Sequence, residues 1–187
     1  PVQGYIYPPA ACSVGNVLDD RTQGFTNDWP EVMFRYGTRI GCFNLHAPNN
    51  TWWINTTLLD DESSGQGVVS TYDFDNNGLS ELVVLDESKL HICYGGLAPF
   101  PNYAAANRTI AEFPCSGVTG HEIPVIADVD GNGNPEIMVH NFTANNANNL
   151  RVIRPKNPDY SRWLPARNLW NQYAYHAVNI LDDLSVP

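Results

Sequence analysis

The feature that most constrains the fold of this chain is an acidic loop, set between two apolar strands, that occurs twice with the same order of residues. One copy covers residues 71–84 and the other residues 127–139, and the two align without gaps from Tyr72 onward. In both copies a nine-residue loop ends on a glutamate, after which a second apolar strand starts. Such internal repetition predicts a fold that stacks several copies of one small β unit.

A third, eroded copy of the loop is predicted at residues 23–34. Asn27 and Glu31 match the acidic loops there, but Gln23 and Phe25 stand at positions where the other copies have acids. We therefore expect this copy to bind no ion.

The spacing of the repeats indicates the architecture. The glutamates Glu31, Glu81 and Glu136 are 50 and 55 residues apart, a period that suits a four-stranded β-propeller blade. Short β-branched and aromatic runs broken by Gly, Pro, Asn and Asp favour an all-β fold. The sequence predicts about three blades, too few to close a ring, so we expect an incomplete or open propeller. Three forms fit this expectation: an excerpt of a longer polypeptide, an open β array capped by the C-terminal segment, and a protomer completed by its neighbours.

The length of 187 residues is typical of one domain. We predict a single β-repeat domain with repeats at approximately residues 12–60, 61–114 and 115–165, followed by a closing segment at residues 166–187. Apolar residues at helical spacing in residues 165–175 predict a short helix or a turn that caps the blades. The apolar residues 1–7 predict either a strand donated to a neighbouring molecule or a frayed or self-paired terminus.

Each acidic loop carries oxygen-bearing side chains at its first, third, fifth and ninth positions, and its seventh position offers a backbone carbonyl. Calcium takes about six to eight such oxygen ligands of mixed type, whereas transition metals favour His or Cys. A glycine at the sixth position permits the sharp turn. Ordinary turns also contain Asp, Asn and Gly, but the recurrence of the whole pattern favours two Ca²⁺ sites. The predicted ligands are Asp73, Asp75, Asn77, Leu79 and Glu81 in one loop and Asp128, Asp130, Asn132, Asn134 and Glu136 in the other.

These two loops resemble the calcium loops of FG-GAP/VCBS repeats, which build integrin α-type propellers and occur in bacterial surface proteins. The segment from Ala166 to Pro187 looks like the segment that closes such repeat regions in large secreted bacterial proteins. The chain departs from the family pattern in having Glu at the ninth loop position. The resemblance implies FG-GAP/VCBS-type blades, bound Ca²⁺ and a secreted or cell-surface structural or adhesive role, with self-assembly into a fibre as one form of it.

The net charge and the composition limit the kinds of molecule that the chain is expected to bind. With 20 acidic against 10 basic residues the formal net charge is −10, which repels nucleic acid and anionic membrane surfaces and favours cations. No run of about 18 apolar residues is present, so we expect no membrane insertion. The expected partners are further copies of the chain or an extracellular protein or glycan. Weak support for secretion comes from four glycosylation sequons, at Asn49, Asn55, Asn107 and Asn141.

The four cysteines are isolated from one another, which argues against zinc and favours two disulfides. Buried thiols are the alternative. Local similarity predicts that Cys42 and Cys93 occupy equivalent blade positions. Among the three possible connectivities, the preferred one pairs Cys12 with Cys42 and Cys93 with Cys115.

No catalytic motif emerges, so we expect a protein that is not an enzyme. His121 and Glu122 begin like a metalloprotease helix, but the second histidine is missing. Two acid pairs, Asp60–Asp61 and Asp182–Asp183, suit glycoside hydrolysis only if the fold brings suitable carboxylates together. A carbohydrate-binding module is the alternative function, because aromatic side chains in the loops could stack on sugars; these are Trp52, Trp53, Tyr103 and Trp163.

Overall fold

A computed structural model of the chain describes residues 12–20, 29–36, 39–44, 51–55, 68–94, 109–117, 122–141, 150–155 and 163–170, with residues 181, 183 and 185. Within these residues the protein is all-β, as predicted, and its strands form three antiparallel sheets. No helix in the described part of the chain has the length and hydropathy to span a membrane.

Each sheet is a simple meander in which consecutive strands are neighbours. Sheet 1 contains β1 (Ser13–Gly15), β2 (Glu31–Tyr36), β3 (Arg39–Phe43) and β4 (Thr51–Asn55). Sheet 2 contains β5 (Val69–Tyr72), β6 (Glu81–Leu85), β7 (Lys89–Cys93) and β8 (Thr109–Pro114). Sheet 3 contains β9 (Val125–Ala127), β10 (Glu136–His140) and β11 (Leu150–Ile153).

The sheets stack in the order 1, 2, 3 with sheet 2 in the middle. All five residues of β6 are buried, because this strand is internal to its sheet and both of its faces are covered. One apolar cluster combines Met33 and Cys42 of sheet 1 with Leu82 and Val84 of sheet 2. A second cluster joins sheets 2 and 3; its members include Val83, Leu85, Ile92, Ile137 and Val139.

The first strands of the sheets lie beside one another, β1 next to β5 and β5 next to β9. Gly15 allows β1 to lie this close to β5, because a Cβ atom at this position would lie 2.6 Å from Oγ1 of Thr71. Side-chain hydroxyls also link neighbouring sheets: Ser13 donates to the carbonyl of Val69, and Ser70 donates to the carbonyl of Pro124.

The strand register places the three glutamates at equivalent positions and corrects the predicted first loop. Glu31 lies opposite Gly15, as Glu81 lies opposite Tyr72 and Glu136 opposite Ala127. The first loop therefore begins at Asn16 and is seven residues longer than the other two, since 31 − 15 is 16 whereas 81 − 72 and 136 − 127 are 9. The alignment that put Gln23 and Phe25 at the ligand positions was wrong.

The predicted equivalence of Cys42 and Cys93 was also wrong, by one residue of register. Cys42 lies opposite Met33 whereas Cys93 lies opposite Leu82, the residue equivalent to Val32. A shift of one residue moves a side chain to the other face of a strand. Cys42 and Cys93 therefore meet in the same apolar cluster between sheets 1 and 2.

No disulfide bond joins any of the four cysteines. Pairing Cys93 with Cys115 conflicts with the fold, because Cys93 packs between sheets 1 and 2 and Cys115 packs between sheets 2 and 3. The preferred partner of Cys42 was Cys12, which is exposed while Cys42 is fully buried.

The sequon asparagine Asn141 is 8% exposed, and its Oδ1 atom accepts a hydrogen bond from the backbone of Ser116 at 2.9 Å. A glycan at this position would have to displace a buried side chain. Asn55 ends β4. Asn49, Asn107 and the predicted terminal strand at residues 1–7 lie outside the described residues, and the repeat limits stay predictions.

A buried ion pair links sheets 1 and 2. Nη1 of Arg35 donates to the carbonyl of Leu85 at 2.8 Å, and its Nη2 lies 3.6 Å from Oδ1 of Asp86, with both side chains almost fully buried. Removing one member of a buried pair is costly because the other charge stays in the interior. The pair therefore makes the contact between these sheets sensitive to a single substitution.

We predict that Arg35→Met, which keeps the apolar stem and removes the charge, lowers the free energy of unfolding by about 3 kcal/mol or more. Lys89→Met is the matched control, because the Lys89–Glu112 pair at 2.9 Å is about 40% exposed on both sides and such pairs contribute about 0–1 kcal/mol. Urea unfolding measures both. Equal losses in the two variants would contradict the assigned role of Arg35.

Candidate metal centre

Two loops with the same construction form the candidate site. Loop 2 (residues 73–80) joins β5 to β6, and loop 3 (residues 128–135) joins β9 to β10. Both loops therefore leave the first strand of a sheet and return into its second strand. Both are followed at once by the buried glutamate that starts that second strand.

The first aspartate of each loop folds the backbone around its carboxylate. In loop 2 the amides of Asn77 and Gly78 donate to Asp73 at 3.2 and 2.9 Å. In loop 3 the amides of Asn132 and Gly133 donate to Asp128 at 3.0 and 2.8 Å. These shared bonds show that the two loops have one geometry and that a carboxylate at the first position shapes it.

The asparagine at the fifth position of each loop also accepts a backbone hydrogen bond through its side chain. Oδ1 of Asn77 accepts from the amide of Leu79 at 2.7 Å, and Oδ1 of Asn132 accepts from the amide of Asn134 at 2.8 Å. The sixth position of each loop has positive φ, 87° at Gly78 and 91° at Gly133. A side chain there would be strained, so the predicted need for glycine is physically justified.

The acidic side chains converge in both loops. Ligand oxygens of Asp73, Asp75 and Glu81 lie within 4.8 Å of one another, and so do those of Asp128, Asp130 and Glu136. Three carboxylates so close together repel one another unless protons or a cation neutralise them. Each cluster could hold a metal ion. The ligand roles of the amides and carbonyls at Asn77, Leu79, Asn132 and Asn134 stay predictions.

The glutamates are the buried part of each cluster, and both are about 1% exposed. Oε2 of Glu81 accepts from the amide of Phe74 at 2.8 Å, and Oε2 of Glu136 accepts from the amide of Val129 at 3.0 Å. Oε1 of Glu136 is buried and has no hydrogen-bond partner. A buried unpaired carboxylate oxygen is destabilising, and a cation held by the three acids would supply its missing partner. The site therefore fits a metal ion.

In sheet 1 the equivalent glutamate is Glu31, and both of its carboxylate oxygens have hydrogen-bond partners within the protein. Oε2 of Glu31 accepts from the amides of Val17 and Leu18 at 2.9 and 3.0 Å. Its Oε1 accepts from Nδ2 of Asn44 at 2.8 Å, and Asn44 also donates to Asp20 at 2.9 Å. An amide thus supplies the contact that Glu136 lacks. Burial of the carboxylate raises the pKa of Glu31 to about 7, despite the opposing hydrogen bonds.

A segment from the end of the chain crosses both loops. This strap (residues 163–170) hydrogen-bonds to loop 2 through the amide of Leu164 and the carbonyl of Phe74 at 2.9 Å. Two backbone hydrogen bonds join the strap to loop 3. The amide of Asp128 donates to the carbonyl of Arg167 at 3.0 Å, and the amide of Ala166 donates to the carbonyl of Gly133 at 3.2 Å. The strap therefore ties the two acidic clusters into one unit.

The strap was only partly foreseen from the sequence. A helix or turn was predicted for residues 165–175, and the described part, residues 165–170, contains no helix. Trp163, one of the aromatics assigned to sugar stacking, lies against Phe74 with ring centroids 4.5 Å apart. The hydroxyl of Tyr72 donates toward the carbonyls of Leu164 and Pro165 at 3.1 and 2.8 Å. Nothing in the sequence around these residues indicated the contacts, because the partners are about 90 residues apart in the chain.

The remaining predicted residues do not join a described site. Asp183 is exposed and is contacted by its own neighbour Ser185. Asp60, Asp61, Asp182, Tyr103 and His121 lie outside the described residues, as do the side chains of Trp52 and Trp53. Within the described ranges, the groups of three or more acids, cysteines or histidines close enough to bind a metal are the two in loops 2 and 3.

The fold and the site together define an all-β protein of stacked antiparallel sheets with acidic loops that could hold metal ions. No family model matches the chain and no curated protein matches it. A solved structure of the Vibrio cholerae biofilm matrix protein Bap1 is similar, with a TM-score of 0.62 and 24% sequence identity. The match covers 84% of this chain but 24% of Bap1, so the chain corresponds in length to about a quarter of that protein. The FG-GAP/VCBS resemblance stays a prediction.

The raised pKa of Glu31 leads to a pH prediction. Between its ordinary value of 4.5 and about 7 the folded protein holds a proton that the unfolded chain has lost. The stability that this group contributes is complete below pH 4.5 and is lost as the pH rises through about 7. Glu31→Gln has no such proton and should lose less stability than the parent between pH 5 and about 8, measured by urea unfolding in chelator.

Asp183→Asn is the control for this measurement, because hydrogen bonds from Ser185 lower the pKa of Asp183 and place its titration below this range. That variant should keep the pH dependence of the parent. The account of Glu31 is contradicted if Glu31→Gln and the parent show the same slope over this range.

Proposed function

We propose that the chain is a secreted or cell-surface structural protein in which two calcium ions fix the loops that order the sheets. The observation that carries this proposal is the repeated cluster of three carboxylates, with the buried and unpartnered Oε1 of Glu136 in one of them. The ions act by neutralising clustered charge and completing the loops, and not in catalysis. The role proposed is therefore structural or adhesive, without enzymatic activity.

Calcium is the cation that fits the donor set best. The residues near each cluster offer carboxylate, amide and carbonyl oxygens in an irregular loop, and calcium accepts such mixed sets with flexible geometry. Magnesium demands a stricter octahedron and keeps its waters, and the clusters contain no His or Cys to attract transition metals. The expected ligands are the ten residues predicted in the two loops.

The extracellular part of the proposal is supported by the structural likeness of this chain to 24% of the length of a biofilm matrix protein. The formal charge of −10 agrees with a protein that works among divalent cations and not on nucleic acid. Partners in such a setting are other copies of the chain or matrix proteins and glycans. A glycan-binding function gains no support from Trp163, because this ring packs against Phe74.

Calcium titration calorimetry tests the proposal. We expect two ions per chain in the parent. In each of the variants Asp75→Asn and Asp130→Asn we expect one site to keep its affinity and the other to bind about tenfold more weakly or worse, which is a loss of about 1.4 kcal/mol or more. Asp183→Asn is the matched control, because this exposed aspartate lies outside both loops, and it should bind two ions. Parent protein that binds no calcium at millimolar concentration would overturn the proposal.

Calcium should also hold the strap in place. At a concentration a hundred times the dissociation constant, each ion adds about 2.7 kcal/mol to the free energy of unfolding. Chelation should therefore lower the melting temperature and change the fluorescence of Trp163, isolated as the difference between the parent and Trp163→Phe. A Trp163 signal that is the same with calcium and with chelator would show that the strap does not depend on the ions.

A further inference from the structure

We infer that Arg154 is an internal counter-ion of the acidic cluster in loop 3 and competes there with calcium. Arg154 follows directly after β11, and its Nη1 atom lies 3.9 Å from Oδ2 of Asp130. The inference deepens the proposed function and rests on it, because it names a residue that regulates one of the two proposed calcium sites.

The strand register places Arg154 opposite the buried glutamate of sheet 3. At the end of β11 that lies towards loop 3, Ile153 is opposite Ile137. Residues of an antiparallel pair run in opposite directions, so the next position places Arg154 opposite Glu136. Residues that lie opposite each other share one face of the sheet. The side chain of Arg154 is therefore on the face that carries Glu136.

The other two sheets have a residue in the same place. In sheet 1 the register places Asn44 opposite the buried glutamate, directly after the end of β3. In sheet 2 it places Tyr94 opposite the buried glutamate, directly after the end of β7. We call this place the opposing position, which Asn44, Tyr94 and Arg154 occupy in sheets 1, 2 and 3. Its chemistry thus differs from sheet to sheet, as an amide, a phenol and a guanidinium.

Asn44 shows what a side chain at the opposing position can do. Its Nδ2 atom donates to Oε1 of Glu31 at 2.8 Å and to Oδ1 of Asp20 at 2.9 Å. Asp20 belongs to the first loop, so the amide joins the glutamate to an aspartate of the loop. All three residues are buried. A donor at the opposing position can therefore satisfy the carboxylates of its own loop.

Arg154 brings a positive charge to the corresponding place in sheet 3. Its contact with Asp130 joins the opposing position to an aspartate of the loop, as the contact of Asn44 with Asp20 does in sheet 1. An arginine side chain keeps its charge in proteins. The guanidinium therefore offsets part of the negative charge that the three acids of loop 3 bring together.

Calcium in loop 3 needs the carboxylate that Arg154 contacts, because Asp130 is one of the three converging acids. A guanidinium repels a divalent cation, and its attraction to Asp130 is lost in part when the ion binds. The side chains of Arg154 and Asp130 are 60% and 42% exposed, so water screens the effect. We expect Arg154 to weaken calcium binding in loop 3 by about threefold, while it balances part of the charge of the empty loop.

NMR titration with calcium tests the inference, because it reads the two loops separately. The amides of Gly78 and Gly133 each donate to the first aspartate of their own loop, so their signals report loops 2 and 3. A chelator sets the free calcium concentration. For Arg154→Gln, the free calcium at half change of the Gly133 signal should fall about threefold, and that of the Gly78 signal should stay the same. Arg154→Lys keeps the charge and should resemble the parent.

Arg151→Gln is the matched control, because it removes the same charge from the same strand. Successive side chains of a strand point to opposite faces, so Arg151 lies on the other face of β11, together with the buried Ile153. This variant should leave the response of Gly133 unchanged. A change as large as that of Arg154→Gln would show that net charge alone, and not the opposing position, controls the affinity.

The reciprocal variant moves the arginine to loop 2. Tyr94 occupies the opposing position there and brings no positive charge to it. Tyr94→Arg should therefore raise the free calcium at half change of the Gly78 signal and leave that of the Gly133 signal unchanged. The same weakening in both loops would contradict a local effect of the opposing position.

The melting temperature separates competition with calcium from a purely structural role. In chelator Arg154→Gln should melt below the parent, because the acidic cluster has lost its counter-ion. In saturating calcium the difference should be smaller or absent, because the ion then neutralises the cluster. A structural contact unrelated to calcium would lower the melting temperature equally in both conditions.

The inference is overturned if Arg154→Gln leaves the response of Gly133 unchanged. It is overturned as well if that variant needs more calcium, which would show that Arg154 holds Asp130 in place for the ion. Failure of the proposed function is distinguishable, because neither glycine signal of the parent would then respond to millimolar calcium. A parent that responds in both loops, with an unchanged Arg154→Gln, would leave the calcium role in place and remove the competition.

Discussion

The structure depends on a buried glutamate carboxylate that opens the second strand of each sheet and accepts backbone hydrogen bonds from the start of the preceding loop. Glu81 and Glu136 each receive one such bond, and Glu31 receives two. This contact fixes where the first strand ends, and so it sets the register between the first two strands. Because register decides which side chains point to each face, the packing of sheet on sheet follows from it.

A carboxylate in this position is costly to bury, and the protein solves the problem in two ways. In sheet 1 the neighbouring amide of Asn44 supplies a donor, and burial raises the pKa of Glu31 to about 7. In sheets 2 and 3 the glutamate is surrounded by two aspartates, so that more negative charge is gathered around it. That arrangement is unfavourable unless protons or a cation neutralise the cluster. The proposed calcium ions would do so, and they would stabilise the loops and the strap that crosses them.

The sequence predicted well what depends on local spacing. The all-β class, three repeated units and the convergence of acids in loops 2 and 3 all follow from patterns within about a dozen residues, and the structure agrees with them. It predicted poorly what depends on pairing between distant segments. The extra length of the first loop was not predicted, because the spacing of Asn27 and Glu31 matches that of the short loops. The strand before this loop, β1, in fact ends at Gly15. The predicted equivalence of Cys42 and Cys93 was wrong because the alignment of their strands was shifted by one residue.

Other features could not be predicted because single residues carry no sign of their distant partners. Nothing around Arg35 indicates that it enters the interior to meet Asp86, 51 residues later by subtraction. Nothing around Trp163 indicates Phe74 as its partner. These contacts are set by the stacking of whole sheets, and the stacking becomes evident only when the register of every strand is known.

The most direct test of the central claim is a crystal structure of the protein grown in calcium, with the ions located by anomalous scattering. The account predicts one calcium in each cluster, with Oε1 of Glu136 among the ligands of the ion in loop 3. Clusters without calcium, with that oxygen hydrogen-bonded to water or to a protein donor, would contradict it.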